Sequence, residues 1–258
     1  MASASEGYVA ELSHLMAQSA GALIRSPSHS RRAEARRRLA RHSLMLVASL
    51  SALIIILMFA FDATEIGLMP KRGSPELWSV RVFTDFGKDA YVLWTLAAMF
   101  VVSAIAYPLA RSATRPALAR FAIHVEYGLL AVALPVFIAE LIKWTAGRGR
   151  PFVGGKADAF NFVPFTGTEA YFSFPSAHAV TAFALAFAIA AIWPRWSVAA
   201  FLYALLIGAS RLVLLAHHPS DVVGGALVGI VGAMAVRYWF AARRVGFDIR
   251  DDGKIVPL

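Results

Sequence analysis

The sequence has no cysteine and is poor in charged residues. Without cysteine, neither a disulfide framework nor a thiolate metal site is available anywhere in its 258 residues. Aspartate, glutamate, lysine and arginine together make up 16% of the chain, whereas a soluble domain averages about 25%. Hydrophobic residues make up 59%, and the mean hydropathy is +0.62. This composition indicates an integral membrane protein.

The positive charge of the chain does not by itself indicate a nucleic-acid partner. The net charge is +9 at pH 7, but the basic residues cluster beside apolar segments, which is typical of membrane topology. We therefore expect the bilayer, and no nucleic acid, to be the partner of these residues. No pattern in the sequence indicates an oligomeric state.

Six apolar stretches are long enough to span a membrane, for which a helix needs about 20 apolar residues. The predicted fold is therefore all-α, a polytopic membrane protein with six transmembrane helices. The fifth and sixth stretches each carry one arginine near an end, Arg211 and Arg237, and Gly225 and Gly229 in the sixth are predicted to serve close helix packing. The stretches are residues 43–61, 90–110, 122–142, 177–193, 196–215 and 221–240.

Two terminal segments flank the transmembrane domain of residues 43–240. Residues 1–42 form an arginine-rich N-terminal segment, in which residues 6–25 place apolar side chains near helical spacing. Two interpretations of residues 6–25 stay open, a cytoplasmic interfacial helix or a partly ordered tail. Residues 241–258 form a cytoplasmic tail, of which residues 245–258 look short and polar.

The positive residues beside the spans predict the orientation of the chain. Thirteen lysine and arginine residues lie near the spans on the side of both termini, against eight on the other side. Because positive residues are retained on the cytoplasmic side, both termini are predicted to be cytoplasmic. The three polar segments that carry candidate chemistry then all fall on the non-cytoplasmic face.

The first polar segment contains Lys143, which closes the third span, and Arg150, which follows after a turn with glycine. Lysine suits phosphate as a point charge and arginine as a planar fork, so both are candidate phosphate ligands. The alternative is that they only extend to the membrane interface. Arg148, between them, is predicted to be a charge at the rim of the site.

The second polar segment, Pro175-Ser176-Ala177-His178, opens the fourth span. Proline suits the first turn of a helix and serine its N-cap, and free backbone N–H groups at a helix start bind anions. Ser176 adds a hydroxyl donor, and His178 lies within about one turn of it. The alternative is an ordinary helix cap beside an unrelated histidine.

The third polar segment joins the fifth and sixth spans. An arginine on an apolar helix needs an anion, and a phosphate is our preferred partner for Arg211. A carboxylate bonded to one ring nitrogen of a histidine fixes its tautomer and leaves the other nitrogen as nucleophile or base. Asp221 would orient His217 in this way. The alternative is that Asp221 only caps the helix that begins there. His218 competes with His217 for the role.

Taken together, the three segments resemble the phosphatidic acid phosphatase type 2 and haloperoxidase superfamily. The pattern of that family runs K-x6-R-P, then P-S-G-H, then S-R-x5-H-x3-D, and this chain matches it over roughly residues 140–225. The spacing selects His217 over His218, and Ala177 stands where the family has glycine. The matching residues are Lys143, Arg150 and Pro151; Pro175, Ser176, Ala177 and His178; and Ser210, Arg211, His217 and Asp221.

The resemblance implies a lipid phosphatase without cofactor or metal. It implies that His217 forms a phosphohistidine, that Asp221 orients it, and that His178 protonates the leaving group and then activates water. A helical backbone at Ala177 would accept alanine freely, whereas a left-handed one would cost about 1–2 kcal/mol. The phosphate-binding residues that the resemblance implies are Lys143, Arg150, Ser176, Ala177 and Arg211.

The expected substrate is a lipid phosphate, because the site meets headgroups at the outer bilayer face, and the expected location is a bacterial inner membrane. Phosphatidic acid, phosphatidylglycerol phosphate, undecaprenyl diphosphate and lipid A phosphates all stay open. So do a lipid-to-lipid phosphotransferase and a non-catalytic lipid-binding protein. The six spans disfavour a vanadate-dependent haloperoxidase. A histidine–carboxylate metal site, as in an intramembrane protease, would lose activity with a chelator.

Overall fold

Helices make up most of the chain in the computed structural model, which describes residues 2–151, 153–155, 157–250, 252 and 254–258, with side chains from residue 7 onward. The last residues add a two-stranded antiparallel hairpin. The elements are α1 Ala2–Ile24, α2 His29–Ala60, α3 Asp62–Leu68, α4 Trp78–Thr84, α5 Asp89–Leu109, α6 Arg115–Ala146, α7 Ala177–Ile192, α8 Ser197–Val213, α9 Pro219–Arg243, β1 Phe247–Ile249 and β2 Ile255–Pro257. Short 3₁₀ turns lie at Pro75–Leu77, Asp85–Gly87, Glu169–Tyr171 and Pro194–Trp196.

Each predicted span overlaps one helix. Five of these helices are long and apolar enough to cross a membrane: α2, α5, α6, α9, and α8 together with the turn before it. The fourth predicted span corresponds to α7, an apolar helix of 16 residues. At 1.5 Å per residue α7 is about 24 Å long, less than the ~30 Å hydrocarbon core of a bilayer. The structure thus confirms an all-helical chain with five candidate membrane-spanning helices.

Helix α7 lies in the centre of the bundle, although it is short. It packs against α6, α8 and α9, and alanine occupies most of its buried positions. Two glycines of α9 approach it closely: a Cβ at Gly225 would lie 2.7 Å from the backbone oxygen of Ser176, and one at Gly229 would lie 2.5 Å from that of Val180. The prediction that these glycines serve close helix packing is confirmed.

Residues 6–24 of this segment belong to helix α1, which favours the helical interpretation. The helix packs against α5 and reaches α6 through polar side chains. Glu11 pairs with Arg115 at 2.7 Å, and the Ser19 hydroxyl donates to the carboxylate of Glu126 at 2.8 Å. The N-terminal segment is therefore attached to the bundle through polar contacts.

The prediction of a short polar tail for residues 245–258 is wrong. Strands β1 and β2 pair with each other, and Phe247 is fully buried with its ring centre 4.7 Å from that of Tyr127. Asp248 also pairs with Arg31 of α2 at 2.8 Å. Strands of three residues are too short for alternation of apolar and polar residues to be recognised, so the hairpin escaped prediction.

The three polar segments meet at one end of the bundle. At this end α6 and α8 end, and α7 and α9 begin. The Ser176 backbone N–H donates to the carbonyl of Asp221 at 3.0 Å, which joins the starts of α7 and α9. Thr84, at the end of α4, accepts a hydrogen bond from Arg211 of α8. The part of the chain between α2 and α5, which contains α3 and α4, therefore covers the same end.

Candidate active site

Helix α7 begins at the site with the second polar segment. Ser176 is its N-cap, and Ala177 is its first helical residue. Ala177 is not among the described non-glycine residues with positive φ, so it carries none of the left-handed strain that a required glycine would indicate. The alanine therefore keeps the helix start intact, where backbone N–H groups lack partners within the helix and are suited to anions.

Three buried side-chain atoms of the motif residues have no hydrogen-bond partner in the part of the chain that the structure describes. They are Ser176 Oγ, His178 Nε2 and Arg211 Nε. Leaving such an atom unpaired costs about 1–3 kcal/mol, and folded proteins pair the large majority of them. All three belong to residues that the motifs assign to holding or protonating a phosphate, and an anion with several oxygens would satisfy them.

Arg211 is held from one side by Thr84. The buried Thr84 hydroxyl oxygen accepts a hydrogen bond from Arg211 Nη1 at 3.0 Å, and Ser210 Oγ lies 2.9 Å from it. The guanidinium is therefore oriented before any anion binds, while its Nε stays unpaired among the described residues. Sequence reasoning missed Thr84 because 127 positions separate it from Arg211.

Lys143 and Arg150 are each paired with a carboxylate. The Lys143 ammonium contacts Glu140, three residues earlier on α6. Arg150 donates to the backbone carbonyl of Glu169 at 2.9 Å and to its carboxylate at 3.0 Å. The side chains of Glu140 and Glu169 are 48% and 88% exposed, whereas those of Lys143 and Arg150 are 9% and 20% exposed. Either carboxylate can therefore turn to solvent and leave its cation to a phosphate.

His217 lies between α8 and α9 and is almost completely buried. Its Nδ1 is 2.8 Å from the backbone carbonyl oxygen of Ser173. Because a carbonyl oxygen only accepts, Nδ1 carries the proton and Nε2 carries the lone pair. The predicted hydrogen bond to the Asp221 carboxylate is not formed, since its Oδ2 lies 3.8 Å from Nδ1. A backbone carbonyl, rather than the carboxylate, sets the tautomer.

The surroundings of His217 keep its ring neutral. Burial lowers the pKa of His217 to about 4, and the opposing effect of the nearby Asp221 carboxylate does not restore it. At neutral pH the imidazole is therefore uncharged, with Nε2 free to act as a nucleophile or base.

Asp221 is fully buried and contacts the surroundings of His217 rather than its ring. The carboxylate accepts hydrogen bonds from Ser173 Oγ at 2.6 Å, from Arg148 Nη1 at 2.6 Å and from the His218 backbone N–H at 2.8 Å. Ser173 is the residue whose carbonyl bonds to His217, so Asp221 acts on the histidine through Ser173. His218 contributes its backbone, and its ring nitrogens have no hydrogen-bond partner among the described residues.

Arg148 is not a charge at the rim of the site, as its position in the sequence suggested. Its side chain is 1% exposed and pairs with Asp62 at 2.8 Å and with Asp221 at 2.6 Å. The prediction was wrong because these partners lie 86 and 73 positions away. A signal was present in Asp62 and Glu65, which directly follow the first apolar stretch, where an acid is costly unless it is paired.

Glu65 is buried beside this cluster, and among the described residues its carboxylate oxygens have no hydrogen-bond partner. Burial, followed by the negative charges of Asp62 and Asp221, raises the pKa of Glu65 from 4.5 to about 7. A raised pKa means that ionisation is harder in the folded state. Glu65 therefore lowers the free energy of unfolding as the pH rises from about 4.5 to 7.

We expect Glu65→Gln, which keeps the shape but cannot ionise, to raise Tm more at pH 8 than at pH 5. The gain is on the order of 1–2 kcal/mol, or a few °C. Thermal unfolding of the detergent-purified protein at both pH values measures it. The exposed Glu76→Gln serves as a control and should have the same small effect at both. An equal effect of Glu65→Gln at pH 5 and pH 8 would contradict the raised pKa.

The positive charges at this end come from side chains. Lys143, Arg150 and Arg211 are the cations that the motifs predict, and each lies at or just beyond a helix end. Within the described ranges, no group of three or more histidine, aspartate or glutamate side chains is arranged to hold a metal ion. The three cations lie at the same end of the bundle as the neutral, buried His217, an arrangement that suits an anion.

Comparisons with known proteins agree with the motif pattern. Residues 127–244 match the model of the PAP2 superfamily, and this range contains all three polar segments. A lipid A 1-phosphatase of Rhizobium johnstonii is 32% identical over 201 residues, which cover 78% of this chain and 82% of the relative. A lipid A 1-phosphatase of Rhizobium etli is 31% identical over 173 residues, or 67% and 75%. No solved structure gives a significant match. With these relatives matched over most of their length, and with its three motifs gathered at one end of a helical bundle, the chain belongs to the PAP2 superfamily.

Proposed function

We propose that this chain is a membrane lipid phosphatase that hydrolyses a headgroup phosphate through a phosphohistidine at His217. The observation that carries the proposal is the set of buried atoms without partners among the described residues, on Ser176, His178 and Arg211, at the end of the bundle that holds a neutral histidine. Membership of the PAP2 superfamily and the names of two relatives, both lipid A 1-phosphatases, support the same class of reaction.

In the first step, Nε2 of His217 attacks phosphorus in line with the ester oxygen. The N–P bond forms as the P–O bond to the lipid breaks, and protonated His178 donates a proton to the departing oxygen. Negative charge collects on the three equatorial oxygens, where fixed donors and cations stabilise the transition state. The groups proposed to hold these oxygens are Lys143, Arg150, Ser176, Arg211 and the backbone N–H of Ala177.

In the second step, His178, now neutral, takes a proton from water. The water oxygen attacks phosphorus, the N–P bond breaks, and inorganic phosphate leaves. His217 returns to its neutral tautomer, with the Nδ1 proton still directed at the Ser173 carbonyl. His178 is protonated again and ready for the next substrate, so the cycle needs no metal and no other co-reactant than water.

Lipid A-type phosphates are the first proposed substrates. Both reported relatives are named lipid A 1-phosphatase. Large aromatic side chains are also exposed on the connections at the motif end, Trp78 and Phe86 before α5 and Phe160 and Phe165 after α6. Aromatic side chains are enriched at membrane–water interfaces, so these four favour a substrate held at the bilayer surface over a soluble phosphoester.

The proposed orientation places this end on the non-cytoplasmic face of a bacterial inner membrane, with both termini in the cytoplasm. The excess of arginine beside the opposite ends of the helices supports it. Arg31 and Asp248, from the two terminal segments, pair with each other at 2.8 Å, so both termini lie on one side of the bundle.

A panel of lipid phosphates tests the proposal. The detergent-purified protein is incubated with lipid A 1-phosphate, phosphatidic acid, phosphatidylglycerol phosphate and undecaprenyl diphosphate, and released phosphate is compared with phosphate transferred to an acceptor lipid. We expect free phosphate, fastest from lipid A, and no loss of rate with EDTA. Phosphorylated acceptor lipid without free phosphate would establish a phosphotransferase instead, and loss of activity with EDTA would contradict the metal-free cycle.

The covalent intermediate is tested separately. Brief incubation with ³²P-labelled substrate, followed by alkaline quenching, is expected to leave label on the protein that acid removes and base preserves, as a phosphoramidate bond requires. Label of the opposite stability, or no label in a rapid-quench series that resolves the first turnover, would contradict the phosphohistidine.

A further inference from the structure

We propose that Asp62 and Arg148 are positioning residues that fix the nucleophile His217 through Asp221 and Ser173, and that neither of them binds phosphate. The inference rests on the proposed function of His217. It concerns two residues that lie outside the motif residues assigned to catalysis or phosphate binding.

Arg148 has no hydrogen-bond donor left for a phosphate. A guanidinium carries five N–H donors, and the structure shows five acceptor contacts for this one. Nη1 donates to Asp221 Oδ1 and Ser220 Oγ, each at 2.6 Å, and Nη2 donates to Asp62 Oδ2 at 2.8 Å and to the Ala159 carbonyl at 2.7 Å. Nε donates to the same carbonyl at 3.2 Å. The contrast is with Arg211, whose Nε has no partner among the described residues.

Asp62 connects α3 to the first turn of α9. Its Oδ1 accepts a hydrogen bond from the backbone N–H of Ser220 at 3.0 Å, and its Oδ2 accepts from the Ser220 hydroxyl and from Arg148. Ser220 is the second residue of α9, where backbone N–H groups lack partners within the helix. Asp62 therefore caps the helix that begins two residues after His217, from a part of the chain 158 positions away from Ser220.

A continuous series of hydrogen bonds then leads from Asp62 to the nucleophile. Asp62 holds Arg148, Arg148 holds Asp221, the Asp221 carboxylate accepts from Ser173 Oγ at 2.6 Å, and the Ser173 carbonyl accepts from His217 Nδ1 at 2.8 Å. The contacts of the series measure 2.6–2.8 Å. Because Oδ2 of Asp221 lies 3.8 Å from Nδ1 of His217, beyond hydrogen-bond distance, this series is the hydrogen-bonded route from the carboxylate to the ring.

The burial of these charges supports a role in positioning His217. Arg148, Asp62 and Asp221 have side chains that are 0–1% exposed. Buried ion pairs often stabilise a protein no better than apolar residues of the same size, because the charges lose their hydration. A nucleophile, in contrast, must be held within a fraction of an ångström, and a misplacement of 1 Å can cost about 10²-fold in rate. Positioning is therefore the gain that this costly cluster provides.

Arg148→Lys and Asp62→Asn test the proposal with phosphate inhibition as the second readout. Each variant should lower kcat for lipid phosphate about 10–100-fold, because the Ser173 carbonyl is no longer fixed. The inhibition constant of inorganic phosphate should change less than about threefold, because the phosphate ligands are untouched. Arg211→Lys is the matched control. It removes a proposed phosphate ligand and should raise that inhibition constant at least about tenfold.

A double-variant cycle separates positioning from general loss of structure. If Arg148 acts through Asp221, Arg148→Lys should slow the Asp221→Asn protein little further. Three results would each overturn the proposal. The first is a double variant whose loss in kcat is the product of the two single losses. The others are an unchanged kcat in Arg148→Lys and Asp62→Asn, and weaker inhibition by phosphate in either variant. If Arg148→Lys does not fold, Ser220→Ala takes its place. We expect Ser220→Ala to lower kcat about 3–10-fold, and an unchanged kcat would contradict the proposal. Activity that survives His217→Ala would instead refute the proposed function itself.

Discussion

Replacing His217 by alanine is expected to lower phosphate release at least about 10⁴-fold. Nε2 of His217 is the atom proposed to bond to phosphorus, and alanine offers no replacement for it. The phosphate ligands stay in place, so the variant should still bind inorganic phosphate while it no longer forms the acid-labile protein label. Single-turnover release of ³²P-phosphate from labelled lipid, together with the label on the protein, measures both effects.

A second histidine variant controls for loss of structure. His124 lies near the start of α6, at the opposite end of the bundle, and contacts Trp193 and Phe247. His124→Gln should therefore keep turnover within about threefold, and both variants should unfold cooperatively in detergent. Activity in His217→Ala above a few per cent of the unchanged protein would mean that the nucleophile lies elsewhere, and His218 would be the next candidate.

The grouping of the candidate site residues was predictable from the sequence because members of each motif lie within one helical turn or one short connection of each other. Ser176 and His178 share the first turn of α7, and His217 and Asp221 are four residues apart. A nucleophile, an acid and an anion site that act on one phosphate must lie close together, and short spacings in the sequence achieve this locally. The apolar stretches likewise predict the helices, since the hydrophobic length of a span is itself a local property.

The contacts that hold these groups in place were not predictable from the local sequence pattern. Asp62 and Thr84 lie in α3 and α4, between α2 and α5, yet they contact residues 86 to 158 positions away. Arg148 stands among motif residues, but its role depends on whether its side chain points into the bundle or toward solvent, which the sequence does not encode in its neighbours. The tautomer of His217 likewise depends on a backbone carbonyl, which every residue has and which carries no sequence signature.

Replacing His178 by alanine is expected to separate the two chemical steps. Without a proton donor, an alkoxide leaves slowly, so hydrolysis of lipid phosphate should fall about 10²–10⁴-fold. An aryl phosphate such as p-nitrophenyl phosphate releases a phenolate that needs no proton, so His217 should still be phosphorylated at close to its normal rate. The second step still needs His178 to activate water, and the phosphohistidine should therefore accumulate.

The expected signature of His178→Ala is a burst. In a stopped-flow measurement with p-nitrophenyl phosphate, about one nitrophenolate per active site should appear rapidly and further turnover should be slow, which is the kinetic mark of an accumulating covalent intermediate. Ser176→Ala is the matched control, because it weakens a phosphate contact that both steps use. It should slow lipid and aryl substrates alike and show no burst.

The comparison of substrates is what makes the assignment of His178 testable. If His178 only helped to bind phosphate, its loss would affect both substrates equally, as with Ser176, and no burst would form. If it acted only on water, lipid phosphate would also give a burst. Slow first turnover on lipid, combined with a fast burst on the aryl substrate, is expected only if one imidazole donates a proton to the leaving group and then accepts one from water. The buried Nε2 of His178, unpaired among the described residues, is the atom in this structure placed to do both.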